Sequence, residues 1–403
     1  MEPLLSDDWL STIHLLGATQ GIFLAVILAS KRRNSVANKI LAGVMLAFTL
    51  ELITTVYHAK GYDEVWPHFI GVTYPLPFLF APLLYLYARS VSESAASFKK
   101  TYLLHLIPVA LVVLYMTPFY WQSGAAKLAV LQQPEGHPWT PDLRSINHVK
   151  FVYSFLYLAL IIRLLTRHRE RIKNTFSSIE HLNLAWLRNM TIGGVTLWGI
   201  AFVIYLFGFF GSAPDAAPDP IEGYDDYVAL AMAVFVYAIG YLGLRQPEIF
   251  APPLPRAAVS QDEERAADGA EPAKAQYAKS GMDPNRARRH VEALLRLMET
   301  EKPYKKSDLT LQELAEALSV SPHNLSELIN TQLGKNFYDF VNGYRVEEVQ
   351  RRLADPSAAH LTMLALGLEA GFNSKSSFNA VFKKHTAMTP SQYRARVEAD
   401  GEA

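Results

Sequence analysis

The sequence predicts an all-α protein in two parts, a seven-helix transmembrane bundle followed by a soluble double helix-turn-helix domain. Three observations predict it. Half of the 403 residues are hydrophobic and mean hydropathy is above zero, yet the apolar residues concentrate before about residue 248. About seven stretches there approach the roughly 20 apolar residues that cross a hydrocarbon core of about 30 Å. Beyond residue 285, apolar residues recur at helical spacing in short blocks separated by Ser- and Gly-containing turns.

Composition excludes several classes. There is no cysteine, so disulfides, thiolate zinc sites and cysteine nucleophiles are absent. Lys plus Arg equals Asp plus Glu at 38 each, so overall charge argues for no polyanionic partner. The segment Met1–Trp9 carries Glu2, Asp7 and Asp8 but no Lys or Arg, and no small-residue cleavage site follows its apolar stretch. It is expected to stay attached as a membrane anchor rather than act as a signal peptide.

The spans are expected near Leu10–Ser30, Ile40–His58, Phe69–Ala88, Tyr102–Phe119, Phe151–Thr166, Met190–Gly211 and Tyr227–Leu244. The fifth is the shortest, because Arg163 sits near its end and must snorkel. Basic residues alternate between connections: Lys31, Arg32, Arg33 and Lys39; then Arg89, Lys99 and Lys100; then Arg167, Arg169, Arg171, Lys173 and Arg188. The intervening connections are poorer in Lys and Arg for their length. The positive-inside rule then places a multi-pass chain in the cell inner membrane, N-terminus outside and C-terminal domain cytoplasmic.

Within this half, Glu51 lies between Leu50 and Leu52. It is either part of a signal site or a carboxylate near the outer interface bonded to a neighbouring helix. Tyr74, Pro75 and Pro77, followed by Pro82, must kink or break the third span, which either lines a cavity or is a packing kink. His14, His58, His68 and His105 are scattered and assign no metal. Trp66, Tyr120 and Trp121 suit an outer aromatic belt, and the loop 122–147, with Pro134, His137, Pro138, Trp139 and Pro141, suits a cover over the outer face.

Residues 1–246 are therefore read as a sensor-like membrane domain and 247–284 as a flexible linker rich in Pro, Ala, Asp and Glu. A coil of that length spans on the order of 30 Å. Residues 285–403 form the last domain. Its first helix places Val291, Leu294, Leu295 and Met298 on one side, either to dimerise and relay a signal or to join the domain core.

In the first helix-turn-helix, Leu311, Leu314 and Ala315 face inward, Ser319-Val320 turns, Ser321 caps, and Pro322 opens a helix whose Leu325, Leu328 and Ile329 pack inside. A helix over about 337–354 links it to the second. There Gly371-Phe372-Asn373 turns, Ser374 caps, Phe378, Val381 and Phe382 face inward, and Thr389-Pro390 stops the helix. Gly367 weakens the supporting helix. Short polar and basic side chains at the start of an exposed helix suit a major-groove reading head.

Two such patterns joined by a helix are far more specific than one. The segments LTLQELAEALSVSPHNLSELIN, NFYDFVNGYRVEEVQRRL and ALGLEAGFNSKSSFNAVFKKHTAMTPSQYR resemble the AraC/XylS-type DNA-binding domain over about residues 308–396. The resemblance implies an all-helical domain whose two reading helices enter successive major-groove turns of double-stranded promoter DNA. By position it implies base-facing roles for His323, Ser326 and Glu327 in the first head and Lys375, Ser376, Ser377 and Asn379 in the second. Lys383, Lys384, Arg394 and Arg396 are phosphate-contact candidates; Lys335, Arg345, Arg351 and Arg352 are either that or structural. Glu327 departs from the basic or amide side chain expected there, although a carboxylate accepts from cytosine N4.

The resulting expectation is a one-component transcription regulator, not an enzyme and without cofactor, that senses an unknown small-molecule or membrane signal from the lipid bilayer, with a homodimer as one route to switching. The alternative is a transporter or membrane enzyme with a regulatory DNA-binding tail; no Walker A sequence or dinucleotide fingerprint is present.

Overall fold

The computed structural model describes residues 7–31, 35–92, 100–132, 143–179, 184, 187–189, 191–196, 199, 202–203, 224–245, 283–358 and 360–401. Among these there is no strand, only an isolated bridge between Phe176 and Thr310. The expected linker 247–284 lies almost wholly outside the described residues. So do most of the sixth span, the outer-loop residues Pro134, His137, Pro138, Trp139 and Pro141, and Arg32, Arg33 and Lys99.

The chain divides into two units: Met1–Thr166 with Leu184–Pro253, and Arg167–Asn183 with Leu254–Ala403. The first contains α1 (Asp7–Ser30), α2 (Ser35–Ala59), α3 (Tyr62–Val65), α4 (Pro77–Ser92), α5 (Ile107–Tyr120), α6 (Gly124–Gln132), most of α7 (Leu143–Thr175) and α8 (Tyr224–Arg245). Its main core joins Leu24 and Leu28 of α1, Leu41, Met45 and Phe48 of α2, Phe80 and Leu86 of α4, Ile161 and Leu165 of α7, and Val236 of α8. Gly17 and Gly21 let α1 approach its neighbours closely. A Cβ on Gly17 would lie 2.9 Å from that of Ala233, and one on Gly21 would collide with Thr49 Oγ1.

Among the described residues, four helices are long and apolar enough to cross a membrane: Trp9–Ser30, Val36–Ala59, Lys100–Tyr120 and His148–Thr175. Two of the sequence expectations need correction, the start of the third span and the extent of the fifth stretch. The third span is not one helix from Phe69. A 3-10 turn covers Pro67–Phe69, turns follow, and α4 starts only at Pro77, with Pro82 inside it. Pro75 and Pro77 lack the amide hydrogens that would carry a helix through the break. The fifth stretch is the longest helix, 33 residues, because its basic tail continues in helical conformation past Arg163 to Thr175. The loop 122–147 contains α6, whose Lys127 is buried; its Nζ donates to the His68 carbonyl at 3.0 Å and lies 5.4 Å from the centre of the Phe119 ring.

The second unit contains α9 (Pro284–Thr300), α10 (Leu311–Ala317), α11 (Pro322–Gln332), α12 (Phe337–Leu353), α13 (Met363–Glu369), α14 (Lys375–Thr386) and α15 (Pro390–Gly401). One helix serves two cores. Phe337, Phe340 and Val341 of α12 pack with α10, α11, and Leu294 and Met298 of α9. Its Val346 and Val349 pack with Leu366, Phe372, Phe378, Val381 and Phe382. The helix expected from residue 285 thus packs into the domain core through Leu294 and Met298. Pro390 does not stop α14. That helix ends at Thr386, Ala387 takes a left-handed conformation (φ 60°), and Pro390 opens α15 at its first position. Gln392 N donates to Thr389 Oγ1 at 3.3 Å, so Thr389 caps the new helix.

Candidate nucleic-acid interface

Both heads are built by the same local device. After α10, Ser319 N donates to Glu316 O and Val320 N to Ala315 O, each at 3.0 Å. After α13, Gly371 N donates to Leu368 O and Phe372 N to Gly367 O, again at 3.0 Å. These paired bonds close each supporting helix with a left-handed residue, Ser319 at φ 55° and Gly371 at φ 103°. A serine two residues after Ser319 and three after Gly371 starts the next helix: Ser321 Oγ accepts from Asn324 N at 3.2 Å, and Ser374 Oγ from Ser377 N at 3.1 Å. Inward Leu325, Leu328 and Ile329 in α11, and Phe378, Val381 and Phe382 in α14, are buried.

This fixes what each reading helix shows to solvent. In α11, His323 is exposed while Ser326 and Glu327 are half-buried; Asn330 Nδ2 donates to Ser326 O at 2.8 Å and to its Oγ at 3.3 Å. In α14, Lys375, Ser376 and Asn379 are exposed and Ser377 is half-buried. The N-terminal turns of two helices therefore present polar side chains and backbone N–H groups, the arrangement that meets base edges and phosphates. Gly367, expected to weaken α13, has a packing role: a Cβ there would lie 2.8 to 3.1 Å from ring atoms of Phe378.

The basic candidates sort by their partners. Lys383 is exposed. Lys384 is also exposed but bonds Asp339 Oδ1 at 2.7 Å. Burial works to raise the Asp339 carboxyl, and the Lys384 bond and charge, together with the Asn336 amide and the Lys173 charge, outweigh it, holding the group below the usual carboxylate range. Arg352 pairs with Glu369 at 2.8 Å, and Arg394 donates to Leu361 O at 2.9 Å. Arg351 pairs with the buried Glu348, which Lys305 (3.0 Å) and the Tyr304 hydroxyl (3.1 Å) also meet. Arg345 is structural, only 1% exposed. Its Nε donates to Tyr304 O and its Nη2 to Lys306 O, both at 2.8 Å. Burial lowers its pKa to about 10, so the cation is retained at neutral pH.

The membrane-half candidates fall on different elements. Glu51 is half-buried on α2. Tyr74 packs against Ile70, Met116 and Phe119, while Pro75 and Pro77 are buried around the start of α4. Sequence reasoning missed an aromatic cluster in which Tyr157 Oη lies 2.6 Å from His105 Nδ1, with the Tyr85 and Tyr153 rings beside them. Among the described residues, no group of three or more His, Asp or Glu side chains is placed to hold a metal.

Residues 314–396 match the family model described as a helix-turn-helix domain. The chain is 37% identical over 87 residues to an uncharacterised HTH-type transcriptional regulator of Staphylococcus aureus (strain COL), covering 22% of this chain and 11% of that protein. It is 29% identical over 92 residues to the arabinose operon regulatory protein of Escherichia coli (strain K12), covering 23% of this chain and 30% of that one. The similarity thus spans less than a third of either relative. No solved structure gives a significant match.

Proposed function

We propose that the chain is a DNA-binding transcription regulator of the AraC type, held at a membrane by its first unit, with α11 and α14 reading adjacent major-groove segments of promoter DNA. The observation that carries the reading is the pair of identically built, serine-capped helices inside the matched region. The same match and relatives, all named as regulators, argue against an enzyme. His323, Ser326, Glu327, Lys375, Ser376, Ser377 and Asn379 are the base-facing set. Lys383 is the stronger phosphate contact; Lys384 must give up Asp339 to serve as one.

Membrane attachment is supported by what the first unit leaves uncovered. Leu16, Phe23, Val26, Leu50, Leu104, Leu111, Leu114, Val152 and Leu156 are each at least half exposed, far more apolar surface than water tolerates on a monomer. Sensing through this unit, of a small molecule or the membrane itself, is part of the proposal and is supported by the joining of such a bundle to a DNA-binding domain.

Selection of duplexes from a random-sequence pool by the detergent-solubilised full chain tests the reading. The expected result is an enriched motif with two segments about one helical turn, ~10 base pairs, apart. A bound pool that stays random contradicts it.

A further inference from the structure

In the second unit, a stretch remote in sequence from the heads is built into their junction. Residues 176–178, immediately after α7, run against the loop before α10 and against α12. Ser177 is 1% exposed. Its N–H donates to Leu309 O at 3.1 Å, and its carbonyl accepts from Asn342 Nδ2 at 3.0 Å and Arg345 Nη1 at 3.1 Å. Its Oγ accepts from Arg345 Nη2 at 3.1 Å. Ser178 Oγ accepts from Asn373 Nδ2 at 2.8 Å, in the turn that opens α14. Phe176 bridges Thr310, the residue that caps α10.

These contacts fall where the heads meet. A Cβ on Gly371 would collide with the Tyr304 carbonyl and lie 3.0 Å from Arg345 Nε, so the second head's turn presses on the first head's approach loop. Arg345 is the common post, and its guanidinium spends donors on both that loop and Ser177. A buried cation requires its donors filled. With Ser177 withdrawn, Nη2 keeps Lys306 O at 2.8 Å and Ser307 O at 3.2 Å, but Nη1 keeps only Asn342 Oδ1 at 3.1 Å, so one guanidinium donor is left for water or a rearranged loop to fill.

We propose that residues 176–178 are a strap that holds the two heads at one mutual setting, and that α7 is the lever that positions it. The helix is continuous from Leu143 to Thr175 and ends one residue before the strap. Each residue of helix rises about 1.5 Å, so an axial shift of that size exceeds the tolerance of hydrogen bonds near 3 Å. A signal that moves α7 thereby reaches the spacing of α11 and α14 by a route independent of residues 247–282. This deepens the DNA-binding reading by naming the regulation of the same heads, and its test uses no DNA.

Because the chain has no native cysteine, spin labels are attached at Thr331→Cys in α11 and Ala380→Cys in α14, both exposed, in the full chain in lipid nanodiscs. The parent is expected to give one narrow inter-label distance distribution. Ser177→Pro, which removes the N–H to Leu309, and a single alanine inserted after Arg169, which turns the strap by about 100°, are each expected to shift or broaden it by a few ångströms. Ser177→Ala removes only the Oγ contact and preserves the strap backbone. It gives the same change in smaller measure, and decides the matter where the proline variant loses helicity. Parent-like distributions in Ser177→Ala and in the insertion overturn the proposal, whether or not the heads bind DNA.

Discussion

Asp339 shows how one contact serves structure and sets conditions on binding. Its carboxyl sits below the usual range because Lys384, with Asn336 and Lys173, outweighs the effect of burial. A depressed carboxyl stabilises the fold above the ordinary carboxylate range, and that contribution is lost as pH falls through the folded value. The melting-temperature difference between parent and Asp339→Asn should therefore be largest near neutrality and vanish in acid; a difference that grows in acid would contradict the pairing. Gly367 gives a sharper test of packing against propensity. Helix propensity alone predicts that Gly367→Ala gains about 1 kcal/mol. The Phe378 ring, already within 2.8 Å of the added methyl, predicts instead a loss of ~1–3 kcal/mol by denaturant titration. The sequence shows a helix-weakening glycine, because the ring that needs its space arrives from the next helix.

At the scale of elements, the repeated turn-and-cap device makes opposite predictions for its two serines. Ser319 holds a left-handed conformation that glycine adopts without strain, so Ser319→Gly should raise stability by about 1 kcal/mol. Ser374 supplies a cap bond, so Ser374→Ala should cost ~1 kcal/mol, read from the same unfolding curve. The caps of α11 and α14 and the inward faces of α10, α11 and α14 were legible in the sequence because capping and periodicity are local. Less legible were elements that depend on partners. The basic tail of α7 looked like a connecting loop, since a search for apolar spans stops where charge begins, while helical geometry does not. Pro390 looked like a terminator, though the same fixed φ serves equally to open α15. Arg345 stayed open between a phosphate contact and a structural role, because nothing near it in sequence announces the carbonyls of Tyr304, Lys306 and Ser177 that surround it.

For the whole molecule, the proposed orientation places the α5–α6 corner outside and α9 inside. In a chain without native cysteine, Trp121→Cys should react with a membrane-impermeant maleimide on intact cells, and Arg288→Cys only after permeabilisation; the reverse pattern would contradict the orientation. On the proposed reading, attachment to a bilayer and two reading heads together require that DNA come to the membrane. The most direct measurement is a salt titration of the full chain in nanodiscs against a duplex selected by it and a scrambled duplex of equal length. The account predicts tighter binding to the selected duplex, with log affinity falling linearly with log salt. Lys383→Ala should lower the slope by about 1 without changing the preferred sequence. Equal affinity for both duplexes at every salt concentration would contradict it.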